Sequence, residues 1–225
     1  MTRAAKGRKA GAFAGRMQRE RAGRAWRHRA EAAGLVAVAA AIWWLWQGLP
    51  PWWVLLVPAV LAAWRWKLAE EAAKGARRAA VGAESERRVD RRLRRMVGLR
   101  HAVANAEVGA RGDADHVALG PVAAVVETKT GRGPLAVDGR KLHVGGRTIP
   151  GDPVGQAQRQ AAALARLAGL DRVDAVVCIP DMTGRRRKVD GVWICSLAQL
   201  PRVLRRLPRR IEPGEATQLA QRLRQ

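Results

Sequence analysis

No charged residue occurs between residues 32 and 64, and the spacing of apolar and polar positions differs sharply on the two sides of that stretch. Residues 1–31 mix Lys and Arg with Ala and Gly, the pattern of a solvated basic arm, disordered or partly helical. As one helix the uncharged stretch would measure about 50 Å, well beyond a hydrocarbon layer of roughly 30 Å. Pro50-Pro51 divides it, so the pattern predicts two membrane helices, about 32–49 and 52–66. Trp43, Trp44, Trp46, Trp52 and Trp53 gather around the division. Trp64 and Trp66 stand at the far end and Trp26 before the first helix, the places of interfacial anchors. Both flanks are basic and the turn is uncharged, which assigns both termini to the cytoplasmic side of a multi-pass protein of the cell membrane. The long basic region ahead of the run argues against a cleaved signal peptide. A buried helical hairpin is the competing reading.

After the apolar run the period changes. Residues 67–81, rich in Ala, Glu, Lys and Arg, predict a helical connector that leads into a helix over 84–96, where Val89, Leu93 and Met96 form an i, i+4, i+7 stripe. Residues 101–108 read as a strand. Two Val-rich runs within 115–129, joined at Gly120-Pro121, read as a hairpin, and Asp138-Gly139 marks a second hairpin. Asp152-Pro153 resembles a helix start, with Gln156 and Gln160 on one face behind it. Strands over 173–179 and 192–196 follow, separated by the basic loop Arg185-Arg186-Arg187-Lys188, and short basic amphipathic helices close the chain. The order is that of an α/β domain over 82–200. Before it lie the arm (1–31), the membrane hairpin (32–66) and the connector (67–81), and after it a basic tail (201–225).

The chemistry concentrates in the first hairpin. Side chains two apart on a strand share a face, so Glu127 and Lys129 point the same way, and hairpin pairing can bring Asp115 beside them. Converging carboxylates repel unless a positive group lies between them, and a hard divalent cation, Mg²⁺ foremost, suits oxygen ligands. A lysine at such a cluster can hold a scissile phosphate or orient water. An ordinary ion-pair group at a strand edge is the open alternative.

Composition narrows the partners. A formal net charge of +23 and a pI near 11.8 select polyanions, either nucleic acid or an anionic lipid bilayer. The four cations at 185–188 read as a backbone clamp without sequence specificity. Cys178 and Cys195 sit inside apolar runs and read as buried strand residues, and their spacing offers no zinc site.

Gly82-Ala83-Glu84-Ser85-Glu86, Asp115-His116-Val117, Val125-Val126-Glu127-Thr128-Lys129 and Asp152-Pro153-Val154-Gly155-Gln156 together resemble the successive motifs of the nuclease-related domain (NERD) family, part of the PD-(D/E)XK group. The resemblance spans about residues 82–170. It implies a restriction-endonuclease-like α/β core, a mixed central sheet flanked by helices, with Mg²⁺ (or Mn²⁺) as cofactor. Asp115 and Glu127 would be its metal ligands and Lys129 the catalytic lysine. Gln156 would be a supporting polar residue and Glu86 the acidic residue of the preceding helix. The family usually shows Gly-Glu where this chain has Ser85-Glu86, which leaves Glu84 and Glu86 as alternatives. The expectation is thus a membrane-anchored nuclease, acting on DNA ahead of RNA. The rival is a non-catalytic, membrane-tethered nucleic-acid-binding or scaffold protein.

Overall fold

The computed structural model describes residues 12–45, 52–96, 101–107 and 113–223. The expected Pro50-Pro51 turn and the start of the basic arm lie outside them. The chain divides into two compact units, one spanning Phe13–Val81 and the other containing Gly82–Gln225.

The first unit consists of α1 (Ala12–Leu45) and most of α2 (Trp52–Arg94). Helix α1 includes part of the basic arm, and α2 includes the connector. Glu31 and Arg65 join the two helices at 3.0 Å, and the Arg29 guanidinium lies over the Trp66 ring. Among the described residues, the buried side chains of this unit are alanines, Ala25 and Ala32 on α1 and Ala69 and Ala76 on α2, while Trp43, Trp44, Trp64 and Trp66 are exposed. Seven-residue spacing places each pair of alanines on one stripe of its helix.

The transmembrane hairpin expected over residues 32–66 is not found. Among the described residues no helix is long and apolar enough to cross a membrane. The uncharged stretch is shared between two helices. At ~1.5 Å per residue, 32–45 covers about 21 Å of α1 and 52–64 about 20 Å of α2, against roughly 30 Å of hydrocarbon. Within the described residues, each charge-free part is shorter than a span, and Ala supplies much of its apolarity. The multi-pass cell-membrane location, inferred from that hairpin, falls with it.

The second unit is a mixed α/β fold. Its main sheet has the order β1-β2-β3-β7-β10-β9, formed by β1 (His101–Glu107), β2 (Asp113–Leu119), β3 (Ala123–Thr128), β7 (Asp174–Cys178), β9 (Arg187–Val189) and β10 (Val192–Cys195). Strands β1, β2 and β3 form an antiparallel meander, and β7 then pairs in parallel with β3, Ala124↔Asp174 to Thr128↔Cys178. The crossover between them contains helix α3 (Pro153–Ala168). Every residue of β3 and β7 is buried, as expected for central strands covered on both faces.

Alternate side chains of these strands enter different cores. Val125, Val177 and Ile194 pack under α3. Val126, Val176 and Cys178 pack with Val89 and Leu93 of α2 and with Leu200, Val203 and Leu204, residues of α4 (Leu200–Leu204) or its immediate start. Helix α5 (Pro213–Arg222) adds Ala216, Leu219 and Ala220 to the first core.

A small second sheet, ordered β6-β5-β4-β8, combines β4 (Arg132–Asp138), β5 (Lys141–Val144), β6 (Arg147–Thr148) and β8 (Asp181–Thr183). Asp138 and Lys141 close the β4–β5 hairpin across Gly139-Arg140. Gly145, at φ +59°, ends β5 against the carbonyl of Arg132, where an added Cβ would collide with that oxygen. Gly145→Ala is therefore expected to cost about 2 kcal/mol or more, since it combines a backbone collision with left-handed strain. Thermal unfolding reads this as a lowered Tm, and an unchanged Tm would refute the close approach.

Candidate active site

The candidate site forms where β2 and β3 part. Their pairing runs from Leu119↔Ala123 to His116↔Val126. One residue further, Asp115 Oδ2 accepts a hydrogen bond from the Thr128 backbone N–H at 2.7 Å. A side-chain carboxylate thus takes the place of a main-chain acceptor. On the other side of β2, Asn105 lies opposite Asp115, between the pairs Ala104↔His116 and Ala106↔Ala114, with φ +50°. A left-handed residue inside a strand is uncommon outside Gly, and here it coincides with the parting of the strands.

Glu127 and Lys129 project toward α3. The Lys129 ammonium donates to Glu127 Oε1 at 2.6 Å and to Gln156 Oε1 at 3.1 Å. The Lys129 backbone N–H donates to the Cys178 carbonyl, which ties the end of this segment to β7. Gln156 reaches the lysine because α3 starts where the sequence signals: Asp152 caps it by accepting from Gly155 N at 2.8 Å, and Pro153 opens it. Gly155 has no Cβ, which leaves room for the cap carboxylate and for Arg140.

Electrostatics set the two carboxylates apart from ordinary surface pairs. Glu127 is 1% exposed, and its Oε2 is buried with no hydrogen-bond partner. Burial, followed by the charge of Glu127, pushes the Asp115 carboxyl up to about 8. The Thr128 N–H and Lys129 oppose that rise, and Glu86 adds to it. Glu86 is thus the helix α2 carboxylate whose charge reaches Asp115. Glu84 turns outward to Arg91 at 2.8 Å and Arg87 at 3.5 Å, and its carboxyl is held below the ordinary range chiefly by the Arg91 hydrogen bond. His116, next to Asp115, is fully buried, and burial pushes its imidazole down to about 4.

Asp115, Glu127, Lys129 and Gln156 therefore converge, with Glu86 in electrostatic range. The cations at 185–188 do not join them. Arg187 and Lys188 form part of β9, the edge strand farthest from β1, rather than the loop expected from sequence. Sequence reasoning missed Asn105, whose one signal is a poor strand former inside a strand pattern. It also missed the Thr128 N–H, a backbone group that no motif reveals.

A hard divalent cation fits this donor set in kind. The carboxylates are all-oxygen ligands, and one buried oxygen lacks any partner, a costly state that a cation would relieve. Among the described residues no group of three or more His, Cys, Asp or Glu side chains converges as a metal cage. The protein's contribution would then be two carboxylates, the sparse ligation usual for Mg²⁺.

No curated protein and no solved structure matches the chain. Glu86, Asp115, Glu127, Lys129 and Gln156 all fall within residues 81–195, the span that matches the nuclease-related domain, NERD, and the chain belongs to that family.

Proposed function

We propose that this protein is a metal-dependent nuclease that hydrolyses phosphodiester bonds, with DNA ahead of RNA as substrate. Membership of the nuclease-related domain family supports a nuclease-related role. The observation that carries the chemistry is the buried, half-satisfied carboxylate of Glu127 beside Asp115 and under the Lys129 ammonium. A protein that only binds polyanions gains nothing from clustered carboxylates that repel phosphate.

Asp115 and Glu127 would hold Mg²⁺ or Mn²⁺, which supplies Lewis-acid activation of water and neutralisation of developing phosphate charge. The remaining roles belong to side chains of this chain. The Thr128 N–H fixes the Asp115 carboxylate. Gln156 and Glu127 hold the Lys129 ammonium at the mouth of the site, where it would neutralise charge on the scissile phosphate as the transition state forms. Glu86 would keep Asp115 basic enough to take up a cation or a proton. Residues 82–225 carry a net charge of +12, 27 basic against 15 acidic side chains, a field that would concentrate a polyanion near the site.

The test incubates the full chain with supercoiled plasmid and with single-stranded oligonucleotides in Mg²⁺, Mn²⁺ or EDTA. Cleavage in either metal that stops in EDTA is the expected result. Salt-sensitive binding without cleavage, or cutting that persists in EDTA, would overturn the proposal.

A further inference from the structure

The run Arg185-Arg186-Arg187-Lys188 is not a single patch. The cross-strand register places Glu127, Val177, Ile194 and Arg187 in one row across β3, β7, β10 and β9. Residues paired directly across neighbouring strands project from the same face. Val177 and Ile194 belong to the core under α3, so Arg187 projects on the face that carries Glu127 and Lys129. The adjacent row, Val126, Val176, Trp193 and Lys188, projects on the opposite face. There the Lys188 ammonium and the Arg186 guanidinium lie 5.7 and 5.8 Å from the centre of the Trp193 ring, within reach of a cation–π attraction.

The two cations over Trp193 are therefore already engaged. Arg187 is exposed, and its guanidinium makes no ion pair with a carboxylate among the described residues. Three interstrand spacings of about 4.8 Å separate the two backbone positions along the row, about 14 Å in all, and α3 covers Val177 and Ile194 between them, so a strand that reaches both ends passes around that helix. That separation exceeds the ~3.4 Å rise between neighbouring phosphates even of a stacked strand, so a phosphate at Arg187 is not the one held at Glu127.

We infer that Arg187 contacts a backbone phosphate several nucleotides away from the one being cut, so that efficient cleavage requires a strand extending toward β9, whereas Arg186 and Lys188 serve Trp193. This rests on the nuclease reading above. It divides a run of four cations, uniform in sequence, into a substrate contact and a structural pair.

The test compares the full-length wild type with Arg187→Ala, Arg187→Lys and Lys188→Ala on two substrates, a labelled 20-nucleotide single strand and bis(p-nitrophenyl) phosphate. On the long strand, Arg187→Ala is expected to raise KM about 5–10-fold at low salt, less as salt screens the contact, and Arg187→Lys recovers most of the loss. On the small diester, which cannot reach Arg187, the same variant matches wild type. Lys188→Ala matches wild type on both but shifts the tryptophan emission. Equal losses for Arg187→Ala on both substrates, or a Lys188→Ala loss as large as that of Arg187→Ala, would overturn the inference. Strand binding in EDTA gives a readout independent of cleavage. The slope of log Kd against log salt should fall by about 0.7 in Arg187→Ala, and an unchanged slope also overturns the contact. A reduced slope with no cleavage by the wild type would remove the nuclease reading and leave the contact standing.

Discussion

Glu127→Gln is expected to lower metal-dependent cleavage at least a thousandfold while leaving the Tm unchanged or slightly raised. A thousandfold is about 4 kcal/mol of transition-state stabilisation, a reasonable share for a group that holds a catalytic cation. The neutral stability follows from the surroundings. Glu127 Oε2 is buried without a partner, and its charge is unfavourable to Asp115. An isosteric amide removes that repulsion and still offers Lys129 an oxygen. Lys129→Met should differ in sign on the second axis. It loses about a hundredfold in rate, and it also lowers the Tm because the 2.6 Å partner of a buried carboxylate is gone. Cleavage assays and thermal melts on the two variants check both axes. Wild-type cleavage by either variant would remove it from the chemistry. Parallel losses of rate and Tm in Glu127→Gln would mean that the carboxylate is structural.

The convergence of the four candidate side chains was legible because it depends on short-range rules. Strand alternation puts Glu127 and Lys129 on one face, the Gly120-Pro121 break returns the chain to Asp115, and Asp152-Pro153 starts a helix whose first turn carries Gln156. Each of these signals acts within about 15 residues. The sheet order was not legible. Nothing in the sequence of β7 says that it pairs in parallel beside β3, nor does β9 reveal itself inside a run of cations, because their neighbours are chosen by packing across distant segments. The same limit separates Arg187 from Lys188, which look alike until the register assigns them to opposite faces.

The membrane hairpin failed for a different reason. The two halves of the charge-free stretch, divided at Pro50-Pro51, were each read as long and apolar enough to span, yet Ala provides much of that apolarity and no helix among the described residues reaches the length and apolarity of a span. The parting of β2 and β3 at Asp115 had no sequence rule behind it. It depends on a single side chain outcompeting a main-chain acceptor for the Thr128 N–H, with Asn105 in the left-handed region on the neighbouring strand.

In EDTA, the Tm of the protein is expected to fall as pH rises from about 6.5 to 8.5, and Mg²⁺ should restore it. The signs follow from two buried groups. Asp115 is raised from 3.8 to about 8 by burial and by Glu127. Between those values the folded state binds the proton that the unfolded state has lost, so stability falls with rising pH. His116 is lowered from 6.5 to about 4, mainly by burial. Over that narrower window the unfolded state binds more protons, so stability rises with pH. The two effects oppose each other below pH 6.5, and above it Asp115 dominates. The Cys178 thiol, raised in the folded state by its hydrogen bond to Cys195 and by burial, adds a fall of the same sign only toward the top of this range, where the unfolded thiol begins to ionise. Asp115→Asn should therefore flatten the melting curve between pH 6.5 and 8.5 and abolish the Mg²⁺ response. A cation bound only by the folded state at a hundred times its Kd adds about 2.7 kcal/mol, and this gain should be larger at pH 8 than at pH 6, where Asp115 must first release a proton. A Tm in EDTA that does not fall over this window, or a Mg²⁺ shift that survives in Asp115→Asn, would show that the carboxylates at the parting of β2 and β3 do not form the cation site.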